Sequence, residues 1–176
     1  MILIFLHGDP ATGKYTVGRE LATLTGFEFY HNHLVVDEVL QHHVFGTPGF
    51  VRRRDELWRK HLSAAAASGG TSVIFTFNPE NTVPPGFIDW IFGELPRSGV
   101  RVISVQLRAS EAAIEARLAT SQRQGFRKLT DLQLYRELRA TGTFNSPVIP
   151  RTDLQIDTEV LSPVEAARMI ARLVQS

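Results

Sequence analysis

Cysteine is absent from the 176 residues, and the formal net charge is only +1. Without cysteine the chain can form no disulfide, thiolate nucleophile or cysteine-ligated metal site. So small a charge provides no field for a nucleic acid or a membrane surface, although clustered arginines allow a local anionic site. The apolar N-terminal stretch is too short for a signal peptide or a membrane span. We therefore expect a cytoplasmic protein that binds neither nucleic acid nor membrane.

Strand-like and helix-like stretches alternate along the whole chain, which is typical of an α/β fold with a parallel sheet. The sequence predicts strands at residues 2–6, 27–31, 72–77, 100–107 and 154–156. It predicts helices at residues 13–24, 34–43, 50–68, 87–95, 112–121 and 130–140, and one that opens at Ser162-Pro163. No repeat or linker divides these elements, so we predict a single domain over residues 1–176.

A phosphate-binding motif follows the first strand. The spacing G-x-x-x-x-G-K runs from Gly8 to Lys14, and an amphipathic helix begins inside it. A loop of this kind presents backbone N–H groups and a helix N-terminus to phosphates, and its lysine adds a point charge. The alternative is a tight turn rich in Gly and Pro that only joins a strand to a helix, but the motif and its strand–loop–helix context agree on a phosphate loop. We predict that ATP binds here, through Gly8, Asp9, Pro10, Ala11, Thr12, Gly13, Lys14, Tyr15 and Thr16.

One position departs from the motif. The residue after the lysine is normally Ser or Thr, whose hydroxyl binds Mg²⁺, but here it is Tyr15, followed by Thr16. A phenol is larger and points differently, so it is a poor substitute for that hydroxyl, and the alternative role for Tyr15 is to pack against the loop. Either Mg²⁺ is held by other groups and water, with Thr16 as the candidate ligand, or the site binds nucleotide without efficient turnover.

Motifs of two other nucleotide-binding classes are missing. The third predicted strand ends at Thr76-Phe77-Asn78 without the acidic residue that motor ATPases use, and no Asn-Lys-x-Asp sequence is present to read guanine. Motor ATPases and GTPases are therefore excluded.

With this loop, the chain resembles the P-loop small-molecule kinases, which include nucleoside monophosphate, shikimate and gluconate kinases. Within them it is most similar to a branch labelled AAA-family ATPase or shikimate kinase-like. The resemblance covers nearly the whole chain and includes the stretch from His31 to Asp37 and the sequence Ile156-Asp157-Thr158. It implies a three-layer fold with a five-stranded sheet in the order 2-3-1-4-5. It also implies an acceptor-binding region at about residues 31–68, a lid at about residues 117–130, and the use of ATP and Mg²⁺.

The candidate acceptor site follows the second strand. Ligands of parallel α/β sheets collect at the carboxyl ends of strands, where this chain places His31, Asn32 and His33, with Asp37 one helical turn beyond His33. Asp37 or His31 could accept a hydroxyl proton. Each could instead be structural, as a hydrogen-bonded strand-end histidine or a solvated helix aspartate. A metal site formed by the two histidines lacks a third ligand.

Arginines mark two further candidate sites. Arg54 borders the apolar stripe of its helix and is predicted to reach an anionic acceptor, although a solvated helix face is the alternative. Arg117 and Arg123 are predicted to stabilise the transferred phosphate from the lid, and an exposed basic helix end is the alternative. Asp157-Thr158 is expected to border the adenine.

The sequence predicts an enzyme with the first of three functions, and the other two are alternatives. The first is transfer of the γ-phosphate of ATP to a hydroxyl of a small-molecule acceptor. The second is a nucleoside monophosphate kinase, for which Asn32 would read a base. The third is a nucleotide-binding module without catalysis. Tyr15 and the absence of an acidic residue at the end of the third predicted strand both favour it. The sequence predicts neither the acceptor nor the oligomeric state.

Overall fold

The computed structural model describes residues 1–69, 72–119 and 131–175. Its strands pair in parallel in one sheet, in the order β2-β3-β1-β4-β5. They are β1 (Ile2–His7), β2 (Glu28–His31), β3 (Val73–Phe77), β4 (Arg101–Arg108) and β5 (Leu154–Asp157). The predicted parallel sheet and its order are confirmed.

Helices connect the strands. They are α1 (Lys14–Thr25), α2 (Asn32–Val39), α3 (Pro48–Ala67), α4 (Pro85–Asp89), α5 (Glu111–Leu118), α6 (Leu132–Ala140) and α7 (Pro163–Gln175). A π turn (Trp90–Glu94) and a 3₁₀ turn (Leu95–Ser98) continue α4, and a second 3₁₀ turn covers Thr143–Asn145. None of the helices in the described ranges is both long and apolar enough to cross a membrane.

The sheet is covered on both faces. Leu3 and Phe5 of β1 pack with α2, α3 and α4 on one face, whereas Ile4 and Leu6 pack with α1 and α7 on the other. Alternate residues of a strand point to opposite faces, so a strand buried on both sides is apolar throughout. This accounts for the continuous apolar run of β1 and confirms the predicted three-layer fold.

Aromatic rings fill the face covered by α3 and α4. Phe87 contacts Trp58 with ring centroids 4.7 Å apart, and also contacts Phe75 and Phe77. Phe5 joins the cluster through Phe77, at 4.9 Å. Burial of apolar side chains such as these rings is the main favourable term in folding. Here it holds α4, the helix after β3, against the sheet.

Helix bounds differ from the predictions where hydrogen bonding overrides periodicity. α2 ends at Val39 rather than near His43, because the N–H of His42 bonds to Val39 O in a tight 3₁₀-type turn. α3 begins at Pro48 rather than Phe50, because the Thr47 hydroxyl accepts the Phe50 N–H at 3.3 Å. The region predicted as one helix at 87–95 begins earlier and changes to π and 3₁₀ turns.

The substitution Phe87→Ala should lower the free energy of unfolding by about 3–5 kcal/mol, because it removes a fully buried ring. The matched control is Phe45→Ala, whose ring is 54% exposed, with an expected loss of about 1 kcal/mol. Urea denaturation followed by circular dichroism measures both. Equal losses would show that the aromatic cluster does not have this role.

Candidate phosphate-binding and acceptor site

The loop between β1 and α1 is built on left-handed backbone conformations. The φ angles are +149° at Gly8, +63° at Ala11 and +92° at Gly13. A Cβ at Gly8 would collide with the carbonyl oxygen of Leu107 in β4, so only glycine fits there. Left-handed residues of this kind form backbone nests that bind anions.

Helix α1 directs its N-terminus into the same loop. Gly13 is its N-cap and has no side chain to cap it, and no acidic residue lies in its first turn. The first N–H groups of a helix have no partner within the helix, and they carry the positive end of its dipole. The loop and the helix end together fit a phosphate group.

Lys14 lies across the loop. Its Nζ donates hydrogen bonds to the carbonyl oxygens of Gly8 and Asp9, each at 2.6 Å. The Thr12 hydroxyl also donates to Asp9 O, at 2.8 Å, and Thr12 is buried. These bonds hold the predicted phosphate-binding lysine at the loop.

Arg117 joins α5 to the loop. Its Nη1 donates to Ala11 O at 3.3 Å and to the Thr158 hydroxyl at 2.9 Å, and its Nη2 donates to Thr158 O at 2.8 Å. The structure therefore brings together three segments that the sequence assigned to nucleotide: the loop, the start of the lid and Thr158. Arg123, with the rest of the predicted lid from residue 120 to 130, lies outside the described residues.

Arg139 is a candidate that sequence reasoning missed. From α6, its guanidinium lies 3.7 Å from the Asp9 carboxylate and 3.2 Å from that of Glu111. Tyr135, beside it, packs with Ile114 and with Ala11 of the loop in a small apolar cluster. Its position could have indicated this role, because Arg139 lies in the helix that directly follows the lid predicted at about residues 117–130.

Tyr15 connects the loop to β2. Its ring makes edge contacts with Phe29, at 5.5 Å, and with His31, at 5.1 Å. Thr16, the candidate Mg²⁺ ligand, is exposed. Across the described ranges no three His, Asp or Glu side chains come together as a metal site. Tyr15 therefore packs on the strand that ends at the predicted acceptor site.

The carboxyl ends of β2, β3 and β1 form one polar edge. The N–H of Asn32 bonds to the Thr76 hydroxyl at 3.1 Å, which ties α2 to β3. His7 of β1 is in register with Phe77 of β3, directly before Asn78. The edge therefore carries Asn32, Asn78 and His7 in a row across three neighbouring strands.

Several polar atoms at this edge are buried without a hydrogen-bonding partner in the described part of the chain. They are His7 Nε2, Asn32 Oδ1 and Asn78 Oδ1, and in α2, one helical turn beyond His33, Asp37 Oδ1 is also buried without a partner in this part of the chain. Buried polar atoms are normally paired, so a cluster of exceptions marks a place where a ligand is expected. The cluster lies at the end of β2 where the sequence places the acceptor, and the acceptor role itself stays a prediction.

Comparison with known proteins gives matches in structure. No protein-family model and no curated protein sequence matches the chain. A shikimate kinase from Acinetobacter baumannii, solved with shikimate, aligns with a TM-score of 0.65 and 22% identity over 98% of this chain and 92% of its own. An APS kinase from Mycobacterium tuberculosis, solved with AMPPNP and APS, aligns at 0.66 and 15% over 99% and 97%. A sugar kinase from a Janibacter species aligns at 0.66 and 16% over 99% and 95%.

The chain has the P-loop kinase fold. This confirms the predicted fold class and the resemblance to the fold of the small-molecule kinases. At these identities the likeness concerns the fold, and the reaction is argued from the site itself.

Arg54 of this P-loop kinase fold has an acidic partner that the sequence did not predict. It is only 1% exposed and pairs with Glu80, and its Nη2 donates to Thr82 O at 2.9 Å. It also stacks between Phe50 and Trp58. Burial lowers the pKa of Arg54, and the carboxylate of Glu80 opposes that shift. Its predicted contact with an anionic acceptor remains a prediction.

The substitution Arg54→Met should destabilise the protein by about 3–5 kcal/mol, because it leaves Glu80 buried without its partner. The double variant Arg54→Met/Glu80→Gln should recover part of that loss. Arg53→Met is the control, since its ion pair with Glu56 is half exposed and is worth about 1 kcal/mol or less. Denaturant unfolding of the four proteins measures this, and equal effects at residues 53 and 54 would contradict it.

His7 should make stability depend on pH. Burial, with a smaller effect of Lys14, lowers the pKa of His7 from 6.5 to about 4. Between these values the unfolded chain binds a proton that the folded chain does not, so stability falls as pH drops from about 6.5 to about 4. We expect His7→Gln to remove about 3 kcal/mol of that fall. Urea unfolding across this range measures it, and an unchanged slope in the variant would contradict the assignment.

Proposed function

We propose that the protein is an ATP-dependent phosphotransferase that moves the γ-phosphate to a hydroxyl of a small molecule. The observation that carries the proposal is that a loop suited to phosphate lies beside a buried polar edge. The ring of Tyr15, directly after the loop, contacts the ring of His31, which ends β2 at that edge. A phosphate donor and an acceptor must lie side by side for transfer. Three neighbours of the same fold are described as sugar, shikimate and APS kinases, which supports the proposal.

The nucleotide-binding roles follow from the loop. The backbone N–H groups between Gly8 and Thr16, a stretch in which only Pro10 lacks one, bind the phosphates. Lys14 adds positive charge near the β- and γ-phosphates. Arg117, which holds Ala11 and Thr158 together, adds charge from the lid side. The loop at Thr158 borders the adenine. Arg123 is proposed as a second lid arginine on the transferred phosphate.

Transfer needs a group that takes the acceptor proton. The acceptor oxygen bonds to the γ-phosphorus as the bond to the bridging oxygen breaks, ADP leaves, and the hydroxyl proton passes to a base. Asp37, whose Oδ1 is buried in α2 one turn beyond His33, is proposed as that base. His31, which ends β2 in contact with Tyr15, is the alternative.

Mg²⁺ neutralises phosphate charge in transfers of this kind. In this chain the Thr16 hydroxyl is the candidate ligand beside the loop, because Tyr15 points its ring at β2. One exposed hydroxyl is a sparse ligand set, so phosphate oxygens and water would supply most of the coordination.

A nucleotide-binding module without catalysis is the second candidate. Two observations favour it: the packing of Tyr15 against Phe29 and His31, and the end of β3 at Phe77 without an acidic residue. Such a module would bind ATP through the same loop, and no acceptor would raise ADP release.

The substitution Lys14→Ala should weaken Mg-ATP binding at least about tenfold, because it removes the charge at the phosphates. Lys60→Ala, an exposed lysine of α3, is the matched control and should bind as wild type does. Calorimetric titration measures binding, and ADP release with pooled candidate acceptors measures transfer. Binding without stimulation by any pool would favour the module, and failure of wild type to bind any nucleotide would refute both candidates.

A further inference from the structure

The polar edge offers hydrogen-bond acceptors. The buried oxygens of Asn32, Asp37 and Asn78 have no donor within the described ranges of the chain. At Asn78 the amide nitrogen donates to Pro79 O, at 3.4 Å, which leaves the amide oxygen available. A buried acceptor without a donor is unfavourable, so a ligand with several O–H or N–H groups satisfies this edge best.

His7 adds an uncharged group to the same row. It is 2% exposed, and its Nε2 has no partner in the described part of the chain. An imidazole that stays neutral at this position can exchange a hydrogen bond with a hydroxyl and adds no positive charge that would attract an anion.

Arg54, the buried arginine that the sequence assigned to the acceptor, is already compensated. Arg54 faces Glu80, and Glu80 also accepts a hydrogen bond from the Thr82 hydroxyl. Recognition of a carboxylate or phosphate normally uses an arginine whose fork faces the ligand. Here the fork is directed to the chain's own carboxylate and to Thr82 O, and Asp37 contributes negative charge to the edge.

We propose that the acceptor is rich in hydrogen-bond donors and uncharged or cationic, of the polyol or amino-sugar class. Asn32, Asp37 and Asn78 bind its hydroxyl or amino groups, with His7 completing the row. This assignment rests on the proposed phosphotransferase function and narrows its acceptor. A carboxylate or phosphate acceptor would place an anion against Asp37 and against oxygens that need donors.

Probes of similar shape and different charge test the assignment. With saturating Mg-ATP, we would measure ADP release with glucose, glucosamine and myo-inositol, and with the anions glucuronate, shikimate and AMP. At least one of the first three should raise ADP release about tenfold or more over every anion, a discrimination that paired polar groups readily supply. Preference for an anion would overturn the acceptor class and leave the phosphotransferase in place. ATP binding without a response to any of the first three probes would also overturn the acceptor class, and the pooled-acceptor assay then decides separately whether the protein is a phosphotransferase.

A substitution at Asn78 provides a second test of the acceptor assignment. Asn78→Leu removes the amide oxygen and should lower kcat/KM for the responding probe at least about tenfold, with the KM for ATP unchanged. Asn81→Leu, on an exposed residue of the same loop, is the matched control and should behave as wild type. Equal activity of Asn78→Leu and wild type, with both proteins folded by circular dichroism, would overturn the assignment.

Discussion

The close contact between the first loop and β4 fixes the geometry of the candidate site. At Gly8 the chain turns at a positive φ and passes so close to β4 that a Cβ would collide with Leu107 O. Only glycine allows this conformation and this approach. That turn starts the nest that Gly13 completes and delivers the N-terminus of α1 to it. Lys14 then reaches back to the carbonyls of Gly8 and Asp9. The proposed phosphate site thus depends on backbone shape, which the sheet beneath it holds in place.

Tyr15, the residue that departs from the usual motif, packs against β2 in the structure. The residue that normally offers a hydroxyl to Mg²⁺ here packs an aromatic ring on Phe29 and His31. The first turn of α1 is thereby coupled to the end of β2, where α2 and the acceptor edge begin. The contact joins the proposed nucleotide side of the site to the proposed acceptor side. It leaves the Thr16 hydroxyl as the candidate Mg²⁺ ligand in the first turn of α1.

The sequence predicted the sheet and the loop because their signals are local. Apolar strands, a glycine spacing and a proline-opened helix each lie within a few residues, and the resemblance supplied the strand order. Glu80 was missed because its pairing with Arg54 joins α3 to the loop after β3, a tertiary contact without periodicity. Arg139 was missed for the same reason, since its carboxylate partners lie in the first loop and in α5. The buried polar atoms without a hydrogen-bonding partner could not be predicted from the sequence, because their burial depends on how three strand ends meet in the folded chain.

An NMR titration of the backbone amides with Mg-AMPPNP tests the central claim most directly, because it reads the loop itself and needs no acceptor. The account predicts that the largest amide shifts fall between Gly8 and Thr16, with smaller shifts at Thr158, and that Lys14→Ala reduces them. Absence of shifts in the loop at saturating nucleotide, or shifts centred on another part of the fold, would contradict it.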